Sequence, residues 1–270
     1  MCLVTGIINF KGGVGKTTTT INLAAGLTKL KQKVLVIDTD AQGNVTNSIG
    51  LQYEDDDKVI TTASLMQNPR IDPLSAVKKG QYFDFIPNNV FAYARTNGIS
   101  DSQILTRIIE RLKPYYNHII IDTPPYLGLD TANAIAASDV MMIVTDFSKG
   151  SLTGIKVLMT VLDAWHDRRI ADSFRDKPKT VLFTKYQSRT IISQQVLTKV
   201  ENTSDMGLIL EERIPQTVKV VEDGYVGIPS VINSPRTIVA KEYMNLCQTW
   251  VTAETTKVLK GKKSIIKLKR

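Results

Sequence analysis

Short, nearly unbroken apolar runs alternate along the chain with stretches whose apolar residues recur at helical spacing. The runs at residues 3–9, 34–38, 83–87, 118–122, 140–145, 180–184 and 208–214 predict strands. Most lack the in-out alternation of a half-exposed strand, so they predict strands buried on both faces. Between them, residues 16–30, 102–112, 129–137, 152–165 and 191–200 predict helices, and a last helix is predicted from 236 to about 258. Strand and helix taking turns is the signature of an α/β fold: a mostly parallel, twisted sheet with helices on both faces. Pro235 suits the start of the last helix and Gly261 its stop. Residues 52–81, with the acidic run Glu54-Asp55-Asp56-Asp57 and two prolines, are the least regular stretch and predict a surface excursion.

Composition narrows this picture. At 270 residues, 43% hydrophobic and 22% charged, the chain can build one large core, so a single domain over residues 1–261 with a basic tail at 262–270 is expected. No apolar run reaches the roughly eighteen residues of a membrane span. The opening apolar stretch runs into Lys-Gly-Gly rather than a small-residue cleavage site, so no targeting peptide is expected. Cys2 and Cys247 stand near opposite ends without metal or redox spacing, which fits a reducing cytosol. Seven cations (Lys257, Lys260, Lys262, Lys263, Lys267, Lys269 and Arg270) follow the last acid, Glu254. Setting those seven aside from the 34 basic residues leaves 27 against 26 acidic ones, so the body is near neutral and the charge sits at the end. Such a cluster attracts phosphate backbones or an anionic membrane surface, and merely solubilising tails have the same composition.

The strongest chemical signal is Lys11-Gly12-Gly13-Val14-Gly15-Lys16-Thr17-Thr18, placed after an apolar strand and opening an apolar-periodic helix. That is the context of a P-loop. Glycines let the backbone turn tightly and aim N–H groups at phosphate oxygens, and the helix N-terminus adds its positive dipole end. Lys16 is then placed to neutralise the β- and γ-phosphates of a nucleotide, and the Thr17 hydroxyl to ligate Mg²⁺. Two further strands end in acids. Asp38 and Asp40, one residue apart after the second strand, fall on the same side near the sheet's C-terminal edge. Asp122 closes the run Tyr116 to Asp122 and, in that setting, is a candidate Mg²⁺ ligand acting through water.

The loop 11–18 resembles the deviant Walker A motif of the ParA/MinD ATPases, and its continuation to Leu27 is similar to the ParA/Soj branch of DNA-partitioning ATPases. The likeness runs from about Gly6 to Tyr243. It implies a deviant-Walker P-loop NTPase fold, ATP and Mg²⁺ as cofactors, and a nucleotide-sandwich homodimer in which Lys11 reaches the partner's phosphates. It further implies that Asp40, in Asp38-Thr-Asp40-Ala-Gln42-Gly43-Asn44, positions the attacking water and that Asp38 serves the hydration shell of Mg²⁺. Pro124-Pro125 and Leu127-Gly128-Leu129 match a segment that moves with nucleotide state. Residues 212–219 resemble the family's Ile-Pro-Arg-Asn-Val-Arg segment beside the adenine, which makes Pro215 and Thr217 candidate base contacts although Gln216 and Thr217 replace the usual Arg and Asn.

Arg189 and Lys219 match basic positions that face DNA in the Soj-like branch, and Lys262 and Lys263 of the tail are added as candidate phosphate contacts. The implied function is slow, partner-stimulated ATP hydrolysis controlling non-specific DNA binding in plasmid partition or chromosome segregation, with a ParB-like centromere-binding partner. A cytoplasmic, nucleoid-associated protein is expected. The rival is a MinD-like membrane-positioning ATPase, but the tail is too short and too poorly segregated to make an interfacial helix, so no stable membrane association is expected. A metabolic P-loop enzyme is a third option, for which no substrate motif stands out. Two departures are plain: Ala41 replaces a common proline, and Val144-Thr145-Asp146-Phe147-Ser148 replaces a Pro-x-Gln-x-Glu pattern. The first strand begins at once, so an N-terminal helix-turn-helix and sequence-specific operator binding are not expected.

Overall fold

Strand β1 (Leu3–Ile8) is fully buried and lies near the middle of an eight-stranded sheet, between β5 (His118–Asp122) and β6 (Val140–Thr145). The computed structural model describes residues 2–49, 59–94, 101–148, 150–167, 177–187, 193, 195, 196 and 208–252. The remaining strands are β2 (Val34–Asp38), β3 (Lys78–Lys79), β4 (Asp84–Ile86), β7 (Lys179–Tyr186) and β8 (Leu208–Pro215). Their order across the sheet is β3-β4-β2-β5-β1-β6-β7-β8, and every pairing is parallel except the short antiparallel β3–β4 edge. The chain first builds outward on one side of β1 and then on the other. The reversal leaves a crevice at the C-terminal end of β1, where ligands of open α/β sheets bind.

Helices cover both faces, as the unbroken apolar strands require. On one face α1 (Lys16–Lys29) packs with α10 (Ser230–Asn233) and α11 (Ile238–Val251), around Leu23, Leu27, Tyr243 and Trp250. On the other lie α6 (Ile104–Leu112), α7 (Leu129–Ala137) and α8 (Ser151–Asp167). α6 shows why: Ile104, Leu105, Ile108, Ile109 and Leu112 are buried and fall on one stripe. Trp250 is buried with its indole N–H donating to Thr5 Oγ1 at 3.0 Å, so α11 anchors both by apolar area and by a satisfied polar group.

Strands 34–38, 118–122 and 140–145 and helix 129–137 match their predicted bounds, and most others shift by a few residues at their ends, but the last helix ends at Val251, where Thr252 is extended, rather than running to about 258. The last helix starts at Ile238 rather than beside Pro235, because Thr237 is its N-cap and accepts from Ala240 N. The stretch from 59 onward corrects the predicted surface excursion. It forms α3 (Thr62–Gln67) and α4 (Pro73–Ala76), which send Leu65, Met66 and Ala76 into the core. A capping box between Thr61 and Ser64 starts α3, and Asp72 with Pro73 starts α4. Helices α2 (Asn44–Ser48), α5 (Val90–Ala94) and α9 (Val218–Val226) were likewise not foreseen. Of the predicted helix 191–200 only residues 193, 195 and 196 are described. Arg189, the acidic run 54–57 and the tail with Lys262 and Lys263 lie outside the described residues.

Candidate active site

The loop between β1 and α1 is built by two glycines in the left-handed region, Gly13 at φ 73° and Gly15 at φ 91°, the latter being the N-cap of α1. Side chains with a Cβ are strained there, which is the physical reason for glycine at both positions. Val14 is buried and anchors the loop from below, and its carbonyl accepts from Thr184 Oγ1 at 2.6 Å. The Lys16 side chain turns inward: it is 7% exposed and its ammonium points at the carbonyl of Lys11, 3.4 Å away. Burial lowers its pKa, partly offset by Asp122 and Asp40. Thr18 is half-buried in the first turn, and its carbonyl accepts from Asn22 Nδ2.

The strands beside β1 bring the acids to this loop. Asp38 and Asp122 are register partners across β2 and β5, and Asp122 is also the partner of Ile7 in β1. The Asp122 carboxylate accepts from Thr17 Oγ1 at 2.8 Å and from Thr20 Oγ1 at 2.7 Å. Burial pushes Asp122 up to about 6, against the pull of those hydroxyls and of Lys16. Asp38 is completely buried and lies well above the usual carboxylate range, through burial first and then the nearby Asp122 charge. Its Oδ2 accepts from Val45 N, Thr46 N and Thr46 Oγ1, and its Oδ1 from Asp40 N. Asp38 therefore ties the loop 40–46 to the strand end.

Asp40, 3% exposed, accepts from Gln42 N at 3.0 Å and from Asn44 Nδ2 at 2.7 Å. The turn that aims it needs Gly43, at φ 59°, because a Cβ there would stand 2.5 Å from Asn88 O. Asp122 and Asp40 act on the buried Lys16 ammonium, and Asp38 lies beside Asp122 across the strand pair, so buried acids outnumber the buried cation. A divalent cation with oxygen ligands fits that deficit. Among the described residues no set of three His, Cys, Asp or Glu forms a metal cage.

Lys11 is held by side chains of its own subunit. Its ammonium donates to both Asp146 oxygens at 2.9 Å and to Ser148 Oγ at 2.6 Å. Its amide donates to Asn9 Oδ1, and Asn9 in turn donates to Val144 O. Burial works against ionisation of Asp146, but hydrogen bonds from Lys11, Ser151 and Ser148 hold it well below the usual range. The two lysines of the loop therefore occupy different places, Lys16 inside it and Lys11 at its rim.

Pro215 ends β8 beside Tyr186, and Thr217 caps α9 by accepting from Val220 N. Lys219 is not a free cation: it pairs with Glu222 at 3.2 Å and with Asp223 at 3.4 Å on its own helix. The structure brings Lys11 through Thr18, Asp38, Asp40 and Asp122 together at one crevice. Thr20, Thr184, Asn9 and Asp146 also belong to it and were not singled out from sequence as site residues. Thr20 was hidden in a threonine run, and the other three act across the sheet, where spacing carries no signal.

Residues 3–175, more than half of the chain, match the AAA domain family AAA_31. The chain is 30% identical over 255 residues to the sporulation initiation inhibitor protein Soj of Bacillus subtilis, covering 90% of this chain and 95% of that protein. It is equally 30% identical, over 255 residues, to the chromosome partitioning protein ParA of Myxococcus xanthus, covering 93% and 88%. The chain belongs to the Soj/ParA family of partitioning ATPases. Solved structures agree on the fold for this family member. The septum site-determining protein MinD of Pyrococcus horikoshii, complexed with Mg-ADP, superposes with a TM-score of 0.75 at 24% identity, over 95% of this chain and 99% of that one. A putative plasmid partition protein of Borrelia burgdorferi bound to AMPPNP gives 0.75 at 20% identity, over 93% and 98%.

Proposed function

We propose that this protein is an ATP-dependent partitioning switch in which nucleotide controls pairing of two subunits and pairing controls DNA binding. The observation that carries the reading is the division of labour between two lysines of one loop: Lys16 buried inside it, Lys11 held at the rim. The amides of residues 12–18 and the Lys16 ammonium receive the β- and γ-phosphates. Thr17 and Asp122 would hold Mg²⁺, whose charge offsets the phosphates and the buried carboxylates. Asp38, its oxygens committed to the loop 40–46, acts at most through the ion's water shell. Asp40 orients the attacking water, and Pro215 and Thr217 border the base.

In the paired state Lys11 serves the nucleotide of the other subunit. A cation supplied across an interface stabilises charge there only when the nucleotide is present, which makes pairing conditional on ATP. Family membership and a Borrelia plasmid partition protein crystallised with an ATP analogue support ATP as the ligand and partitioning as the role. DNA binding without sequence preference rests on Arg189, Lys262 and Lys263, with Lys219 a weaker contributor because Glu222 and Asp223 already hold it. Hydrolysis returns the subunits to the separate state, and a ParB-like centromere-binding protein accelerates that step.

The test uses the Asp40→Ala protein, which keeps its ATP, mixed with non-specific duplex DNA or anionic liposomes under ATP, ADP or no nucleotide across a salt series. Binding to DNA only with ATP, falling steeply with salt, is the expected result. Binding to liposomes instead would reassign the protein as a membrane-positioning ATPase, and equal DNA binding in all three states would refute the switch.

A further inference from the structure

All three donors of the Lys11 ammonium are used within its own subunit: two on the Asp146 carboxylate and one on Ser148 Oγ. The carboxylate is itself anchored, accepting from Ser148 N at 3.1 Å and from the Ser151 hydroxyl at the start of α8. On the other side, Asn9 fixes the Lys11 amide and ties β1 to Val144, two residues before Asp146. The contact is thus a built arrangement between the ends of β1 and β6. The lysine remains 34% exposed and the aspartate 13%, so the pair sits where solvent or a second subunit can exchange it.

These contacts compete with the role assigned to Lys11 above. Reaching another subunit's phosphates costs the ammonium three charge-assisted hydrogen bonds and leaves an ionised carboxylate without its counter-charge. We propose that Asp146 is a positioning residue that holds Lys11 inside its own subunit and so sets the threshold at which ATP pairs two subunits. This inference rests on the reading in which Lys11 serves the partner's nucleotide. In the Pro-x-Gln-x-Glu pattern the acid stands two residues later, where this chain has Ser148; here Asp146 carries the charge, and the pair is a latch that keeps the ATP-bound protein single at low concentration.

The experiment measures subunit pairing against protein concentration, with saturating ATP, by analytical ultracentrifugation in the Asp40→Ala background. Adding Asp146→Asn is expected to lower the midpoint about tenfold, the scale of one charge-assisted hydrogen-bonded pair. Asp146→Glu, which keeps the charge, should return the midpoint toward the parent. Ser148→Ala removes one acceptor and leaves the carboxylate, so it should shift the midpoint the same way by about threefold, and it keeps the test open if Asp146→Asn does not fold. With Lys11→Ala present, Asp146→Asn should change nothing, because there is no lysine left to release. An unchanged or raised midpoint in folded, ATP-binding Asp146→Asn protein, with pairing lost in Lys11→Ala, overturns the latch alone. Normal pairing of Lys11→Ala overturns the reading of Lys11 and the latch with it.

Discussion

Lys16 and Asp40 sit in one crevice but make separable contacts, and substitutions there should part binding from turnover. Lys16 supplies the only buried ammonium among the described residues at the loop, so Lys16→Ala should abolish ATP binding in equilibrium dialysis. Asp40 touches Gln42 and Asn44 rather than the loop. Asp40→Ala is accordingly expected to bind ATP while losing hydrolysis by at least a hundredfold in a phosphate-release assay, the scale of a lost positioning or general-base group. Normal turnover in that variant would refute the assignment. At this scale the sequence was most informative where the residues are contiguous: glycines at 13 and 15 are required by backbone conformation, which a motif records directly. It was least informative where partners meet across the sheet. Spacing shows that Asp146 departs from a pattern, but not that it meets Lys11, 135 positions away.

The elements follow from packing, and two of them give tests. Helices α1 and α11 approach closely because position 26 has no side chain: a Cβ there would stand 2.4 Å from Cys247 Sγ. Gly26→Val should destabilise the protein by about 1–3 kcal/mol in urea unfolding, the usual cost of overpacking a core. Gly26→Ala should be largely rescued by Cys247→Ala, which clears the same space. In β5, His118 is 6% exposed and its Nδ1 has no hydrogen-bond partner; burial pushes its pKa down from 6.5 to about 4. A depressed histidine binds fewer protons folded than unfolded between those values. It therefore contributes stability above pH 6.5 that is lost as pH falls through about 4. The loss amounts to about 3 kcal/mol. Asp38 and Asp122, raised by burial, tilt the profile the other way, so the measurement is the difference between wild type and His118→Leu across pH 4–7. A pH-independent difference would show that the buried imidazole is not the titrating group.

Which elements were legible follows from the same physics. β2, β5 and β6 are buried on both faces, so their apolar runs mark them unmistakably. α3 and α4 are four to six residues long and are set by caps rather than by periodicity. α9 is short as well, though Val218, Val221 and Tyr225 stand at helical spacing along it and remain exposed.

Across the whole molecule, the strand order gathers the P-loop at the end of β1 and the acids of β2 and β5 on one side of it, with Asp146 of the β6 end on the other. On that side Lys11 stays partly exposed, so a second subunit can reach it. The central claim is that each subunit completes the other's nucleotide site. It is tested most directly by mixing Lys11→Ala and Asp40→Ala subunits before ATP is added and following phosphate release. In a mixed pair, the Lys11→Ala subunit keeps Asp40 and receives Lys11 from its partner. The account predicts turnover in the mixture that neither variant has alone. A mixture as inactive as its two components would contradict it.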